Sequence, residues 1–247
     1  MSKLPQAPLQ EVIFEVRWDL DVDPESNQMI DNGFDMGVGA FKTLCKDEFH
    51  LSRRKVHADM PARLLFHQVV YQYWKGEGEW PVIQLGPGIF TINDTEKNYD
   101  WDNFYPLIKK GLDWLEKAYG YKLNYNYLTL RYIDTVKMKE FTGSSLEEFV
   151  KKNFNFSFEN HYNTRGALKQ LLFDQVFDLD EKGGLHIAFS NGKDKEKKED
   201  VFVWQTAVVK AGTFTTEDIV TWADSAHHIT AQLFKDITKK DFYARFN

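Results

Sequence analysis

The chain has 247 residues, 43% of them hydrophobic and 28% charged, with a net charge of −6 at neutral pH. That balance is ordinary for a globular protein with a sizeable core, one large domain or two small ones, and it disfavours a protein that coats nucleic-acid backbone, which needs a basic face. One cysteine, Cys45, excludes a disulfide framework or a cysteine zinc cluster.

No window approaches ~18 consecutive apolar residues, so no membrane-spanning helix is expected. The opening residues, MSKLPQAPLQEV, lack the apolar run of a secretory signal, and a cytoplasmic location is the expectation. Phe 20, Tyr 11 and Trp 7 make aromatics 15% of the chain, which suits a sheet-rich core or an aromatic-lined contact face.

Residues 11–20, EVIFEVRWDL, alternate Val12, Phe14, Val16 and Trp18 with Ile13, Glu15 and Arg17, the period of a half-buried strand. Arg17 and Glu15 share its second face, either as a solvated pair or with Arg17 turned into a polar cleft. A helix is expected over 25–47, where Ile30, Phe34, Val38, Phe41, Leu44 and Cys45 recur at helical spacing. Residues 51–60 form a basic, irregular stretch with Arg53, Arg54, Lys55 and His57. A strand follows over 64–75, and Gly76-Glu77-Gly78-Glu79 reads as a hairpin turn.

Residues 81–93, PVIQLGPGIFTIN, are the sharpest local signal. Pro and two Gly inside an apolar strand imply a kink or bulge, or a close approach of another backbone or a ligand. Asn98 or Asp100 can cap a helix whose stripe is Phe104, Leu107, Ile108, Gly111, Leu115 and Ala118, ending at Gly120. A strand then covers 123–137. The order strand–helix–strand–strand–helix–strand over 11–137 is that of a ferredoxin-like unit.

The second half reads strand–helix–three strands–helix if 123–137 is shared. Ser144 with Glu147 suggests a capping box for a short helix over 145–153. Strands are expected over 167–179, 185–190 and 201–210, with a charged loop, NGKDKEKKED, over 191–200. Thr215 with Asp218 opens a last helix whose apolar face is Ile219, Trp222, Ala226, Ile229, Leu233 and Ile237. The fold class expected is therefore α+β, antiparallel sheet covered by helices. A ferredoxin-like lobe would span 1–138 and a related βαβββα lobe 139–247, as separate domains or one continuous domain. Residues 134–144 are the one candidate hinge.

No phosphate loop, dinucleotide fingerprint or nucleophile elbow is present. His227 and His228 are adjacent and cannot ligate as an i,i+4 pair, and Cys45 has no Cys–His signature. His57 with Asp59, or His67 with His186, could meet only through the fold. No catalytic residue, metal or cofactor is expected. Arg17, Gln68, Gln84 and Arg131, with Asp134 nearby, lie in otherwise apolar strands, where charged groups need partners. They form a structural network or line a cleft. With Gly86 and Gly88 they are the candidate ligand-binding residues.

APLQEVIFEVRW at 7–18, VIQLGPGIFTIN at 82–93, LRYID at 130–134 and AHHITAQLF at 226–234 together resemble an uncharacterised, sporadically distributed bacterial family. Its members share an APLxEVxFEhR strand, a central GPG strand, an RYID strand and a helical C-terminus. The resemblance spans nearly the whole chain and implies no activity or cofactor. The patchy distribution it implies suits phage-defence or toxin–antitoxin accessories. The expected function is a non-enzymatic binding protein, partnered by another protein or by a second copy of itself. The alternative is a small-ligand enzyme or sensor with a cleft near residues 86–88; a nucleic-acid partner, through 53–55, ranks behind both.

Overall fold

The computed structural model describes residues 4–60, 64–95, 99–141, 145–158, 161–162, 165–166, 168–194 and 198–247. The chain divides into two compact units. One comprises Glu11–Leu130 and Val209–Asp224; the other comprises Met1–Gln10, Arg131–Val208 and Ser225–Asn247. The division runs through strands rather than through a linker.

In the first unit, β1 (Leu9–Trp18, from Glu11 onward) buries Val12, Phe14, Val16 and Trp18 and leaves Glu11, Ile13, Glu15 and Arg17 half-buried. A two-stranded ribbon follows, β2 (Asp21–Val22) and β3 (Met29–Ile30), and only then α1 (Phe34–Cys45). The helix expected from residue 25 is thus shorter. Local side-chain bonding takes the backbone first: the Asp23 carboxylate accepts from Glu25 N (2.9 Å) and Ser26 Oγ (2.8 Å), and Asp31 Oδ1 accepts from Gly33 N. Such bonds offer the chain a turn in place of a helix.

After α1 come β4 (Leu51–Arg54), β5 (Tyr71–Trp74), β6 (Val82–Gly86), β7 (Ile89–Thr95), α2 (Trp101–Tyr119) and β8 (Tyr125–Lys137). The basic stretch opens as a strand, and only the end of 64–75 is one. Residues 81–93 are not one kinked strand. They are a tight hairpin in which Gly86 pairs with Ile89 across Pro87-Gly88. Pro supplies the first central position of such a turn and Gly88, at φ +72°, the second. Asp100 caps α2 by accepting from Asp102 N at 2.9 Å, and Gly120 at φ +72° ends it. Asn98, the other candidate cap, lies outside the described residues.

Nine strands share one open antiparallel sheet. The remaining three are β9 (Leu172–Asp178), β10 (Gly184–Lys193) and β11 (Asp200–Phe214), and the sheet order is β4-β5-β6-β7-β1-β8-β11-β10-β9. The order β8-β1-β7-β6, with α1 and α2 as the crossovers, is the ferredoxin-like arrangement, and β4 and β5 extend its β6 edge.

In the first unit α1 and α2 pack on one face of the strands. The Phe41 ring of α1 lies 5.0 Å from that of Tyr73 and 5.9 Å from that of Phe90. A Cβ at Gly111 of α2 would stand 2.8 Å from the Phe90 ring, so the helix axis approaches the sheet closely. Phe14, Phe41, Ile83, Phe90, Ile92 and Ile108 are fully buried here, each stabilising the fold by roughly 2 kcal/mol.

In the second unit the order is β8, α3 (Leu146–Asn153), β9, β10, β11 and α4 (Thr216–Ile237), which is strand–helix–three strands–helix, followed by the short α5 (Lys240–Tyr243). The capping box of α3 is Ser145 with Glu148, one residue beyond the expected pair; Ser144 lies outside the described residues. So do 142–144 of the candidate hinge and 195–197 of the charged loop. Thr215 and Asp218 close the second box: Asp218 Oδ2 accepts from Thr215 N at 2.8 Å. The Phe154 ring stands within 6.0 Å of those of Phe149, Phe156, Phe189, Phe202, Trp204 and Phe242, an aromatic core. The N-terminal lead-in is tied to this unit by Gln6 N donating to Phe246 O and Thr135 N to Pro8 O.

Candidate functional site

Period-two geometry decides which side chains can meet on the face of the first unit's sheet opposite the helices. Register places Glu15 across from Thr91, Gln84 across from Thr91 on its other side, and Gln72 across from Gln84. One chain of hydrogen bonds crosses four strands as a result. Trp74 Nε1 donates to Gln72 Oε1 (3.3 Å), and Gln72 Nε2 to Gln84 Oε1 (2.7 Å). Gln84 Nε2 donates to Thr91 Oγ1 (3.0 Å) and Asn93 Oδ1 (2.9 Å), and Asn93 Nδ2 to Glu11 Oε1 (2.7 Å). Thr91 and Asn93 are buried, and these bonds offset the cost of taking them out of water. All the donors point the same way, from indole to carboxylate, so each bond polarises the next.

Gln84 is the centre of this ladder, with both amide atoms engaged. Gln84→Ala is expected to cost about 2–3 kcal/mol, because Gln72, Thr91 and Asn93 lose a partner at a site water reaches poorly. A urea unfolding curve with unchanged slope and a lowered midpoint is the readout; no change in midpoint would mean that the ladder contributes nothing.

Arg17 continues the same face. Its Nε and Nη2 both lie 2.7 Å from Glu15 Oε1, and its guanidinium sits 5.1 Å from the centre of the Tyr127 ring. This is the pair the alternation of β1 suggested, now with an aromatic platform beneath it. Of the other candidates, Gln68 contributes its backbone carbonyl rather than its exposed side chain, and Gly86 and Gly88 flank Pro87 in the turn. Arg131 is exposed and belongs to the other unit, as does Asp134. The structure therefore joins Arg17 and Gln84 to one polar face and assigns Gly86, Gly88 and Gln68 to a neighbouring turn.

That turn is enclosed. Gly86, Pro87 and Gly88 are buried. Pro87 O accepts from His67 N (2.9 Å), Gly88 O from Trp18 N (3.2 Å), and Gly88 N donates to Asp31 Oδ2 (3.0 Å). The same Asp31 oxygen accepts from Tyr119 Oη at 2.9 Å. Asp31 thereby fastens the turn to the end of α2. His67 adopts φ +52°, and its Nε2 is buried with no hydrogen-bond partner among the described residues.

The buried titratable groups shift in one direction. Burial pushes the Asp31 carboxyl up against the pull of its hydrogen bonds, raises the Tyr73, Tyr119 and Tyr125 hydroxyls, and pushes the Cys45 thiol up to about 12. Burial, then the Arg17 charge, lowers His67. Every one of these shifts favours the neutral form. Nucleophilic catalysis needs the reverse, a thiol or hydroxyl pulled toward its anion. Asp134, raised to about 8 by burial, sits in the pH range of acid–base chemistry, but at 5% exposure a substrate has little access to it.

Comparison with protein-family models, curated proteins and solved structures finds no match for this chain.

Among the described residues no cluster of three or more His, Cys, Asp or Glu side chains could hold a metal ion, and no helix is long and apolar enough to cross a membrane. His57 does lie 3.3 Å from Asp59, as an exposed pair. His227 accepts or donates at 2.8 Å with Tyr132 Oη. Sequence reasoning missed Glu11, Gln72, Thr91 and Asn93 as ladder members. The available signal was Gln84 in β6 with Thr91 and Asn93 on alternate residues of β7, which became readable only once the two were recognised as a hairpin.

Proposed function

We propose that this chain is a non-enzymatic binding protein of the cytoplasm that engages another protein through the polar sheet face around Gln84 and Arg17. The observation that carries this reading is the partly exposed Glu15–Arg17 pair, its guanidinium set against the Tyr127 ring on a sheet face that the ladder holds rigid, which suits recognition of a polar surface. A role as accessory or regulator in a bacterial defence or toxin–antitoxin system is the setting that the resemblance of the sequence suggests.

One observation favours the second reading, a small-ligand enzyme or sensor near residues 86–88: the Nε2 of His67 beside Gly88, which has no hydrogen-bond partner among the described residues. It ranks second because residues 86–88 are buried, whereas Arg17 on the polar face is partly exposed.

Affinity capture from the native host, followed by mass spectrometry, tests the first. Glu15→Ala/Arg17→Ala removes a half-exposed pair that contributes under ~1 kcal/mol, so the fold survives. The expected result is a protein partner retained by the parent chain and lost by this variant. Nucleotide turnover or nucleic-acid cleavage by the purified protein, abolished by Arg17→Ala or Arg131→Ala, would overturn the proposal.

A further inference from the structure

A strap of chain in the first unit, residues 65–70, lies over the Gly86-Pro87-Gly88 turn. Its ends are buried at Leu65 and Val70, while Phe66, His67 and Val69 are half-buried and Gln68 is exposed. Val70 N donates to Leu85 O at 3.0 Å, and Gln68 N turns back to Leu65 O at 3.0 Å. Between those anchors His67 supplies a tie to the turn itself, its N–H donating to Pro87 O at 2.9 Å.

That tie is held in a costly posture. His67 adopts φ +52°, a left-handed conformation that few side chains take. Its ring is wedged against Gly88 and Leu20: a Cβ built on Gly88 would stand 2.7 Å from the ring Cδ2, 2.8 Å from its Nε2 and 2.9 Å from Leu20 Cδ2. Nε2 is buried. A neutral imidazole suits a leucine and a glycine backbone, whereas an imidazolium there gives up its water. Arg17 adds to the penalty. It precedes Trp18, whose N–H bonds Gly88 O, and its charge opposes a second cation at His67.

We propose that His67 is a proton-operated latch: as a neutral ring it holds residues 66–69 down on the turn, and as a cation it releases them and uncovers Gly86, Pro87 and Gly88. The neighbours set the sign. Burial first, then Arg17, lowers the His67 pKa below its ordinary 6.5, against opposing pulls from the Trp18 backbone and the Glu15 carboxylate. A released ring, out in water, takes a proton more readily than the latched one. The contribution of His67 to closure is therefore full above pH 6.5. It is lost as pH falls from 6.5 to the midpoint of the latched ring, and levels off below that. Asp31, which accepts from Gly88 N, works the other way: burial raises its carboxyl, so acid favours the closed form there. Tyr119, bonded to Asp31, is held neutral by burial. The charge that opens the strap is thus that of His67. On release Pro87 O loses its donor, and a backbone acceptor sealed at neutral pH meets solvent. The latch is separate from partner binding at the polar face, and its test reads no partner.

The test follows the full-length chain by NMR between pH 7.5 and 5. The His67 ring of the parent chain is expected to titrate below 6.5. Over the same range the amide protection factors at residues 67 and 68, already corrected for the pH dependence of a free amide, should fall by up to about 10-fold per pH unit, while those of β1 and β7 hold. His67→Asn tolerates the left-handed backbone and carries no titrating ring, so protection at these two positions should no longer depend on pH. A His67 midpoint at or above 6.5 in the parent chain overturns the latch, whether or not the variant folds. So does protection at 67 and 68 that changes by less than about 2-fold across the range. A pH response that survives in His67→Asn also overturns it, as does an equal loss throughout β1 and β7, which would be unfolding of the whole unit and not release of the strap.

Discussion

Gly86→Ala is expected to lower the stability of the protein by at least about 3 kcal/mol, read as a collapse of the urea midpoint and early loss of amide protection in β6 and β7. A Cβ at this position would stand 1.8 Å from Gln68 O and 2.7 Å from Gln68 C. Both are backbone atoms, so no rotamer change relieves the overlap. Gln68 cannot back away cheaply either. Its N–H donates to Leu65 O, and its neighbours are bonded to the hairpin it would leave: His67 N to Pro87 O at 2.9 Å and Val70 N to Leu85 O at 3.0 Å. Relief requires breaking those bonds at buried residues, where an orphaned group costs ~1–3 kcal/mol.

Gly88→Ala provides the contrast. There the obstruction is the His67 ring, a side chain, and the positive φ adds roughly 1–2 kcal/mol. The loss at Gly86 should be the larger of the two. A Gly86→Ala protein within ~1 kcal/mol of the parent would remove the argument that residues 67–70 press on the turn.

Asp134→Asn should stabilise the protein at neutral and alkaline pH and leave it nearly unchanged near pH 4. The Asp134 carboxyl is raised from its ordinary 3.8 to about 8 by burial. The folded state therefore holds a proton that the unfolded state releases. Stability from this group is full below pH 4, is lost progressively as pH rises from 4 to 8, and levels off above. Each pH unit in that window is worth ~1.4 kcal/mol, so the cost at pH 7 is on the order of 4 kcal/mol. Asn keeps the shape and cannot ionise. Denaturation of both proteins at pH 4.5, 6 and 8 should show curves that diverge with pH; parallel curves would mean that Asp134 is already ionised in the folded state.

Much of the architecture was readable from the residues. Alternation in β1, helical stripes in α2 and α4, and the caps at Asp100 and Thr215–Asp218 lie in local patterns, because one buried face imposes a period of two or of 3.6. Gly86-Pro87-Gly88 was legible as a break but not as a kind of break. Both flanks are apolar, so nothing in the row distinguished a kinked strand from two strands folded on each other. Pro-Gly at the two central positions was the signal that favoured the turn.

The candidate face divides the same way. Arg17 beside Glu15 followed from spacing alone, whereas the Trp74–Gln72–Gln84–Asn93–Glu11 ladder did not. The amino-acid sequence by itself determined the main helices and strands, the α+β class and the absence of any familiar catalytic motif, since those depend on neighbours along the chain. Which polar side chains meet, which glycine has no room for a methyl group and which aspartate is sealed from water were decided only by strand order and register. Those bring residues distant in sequence, such as Glu11 and Asn93, within hydrogen-bonding distance, and no local pattern encodes that distance.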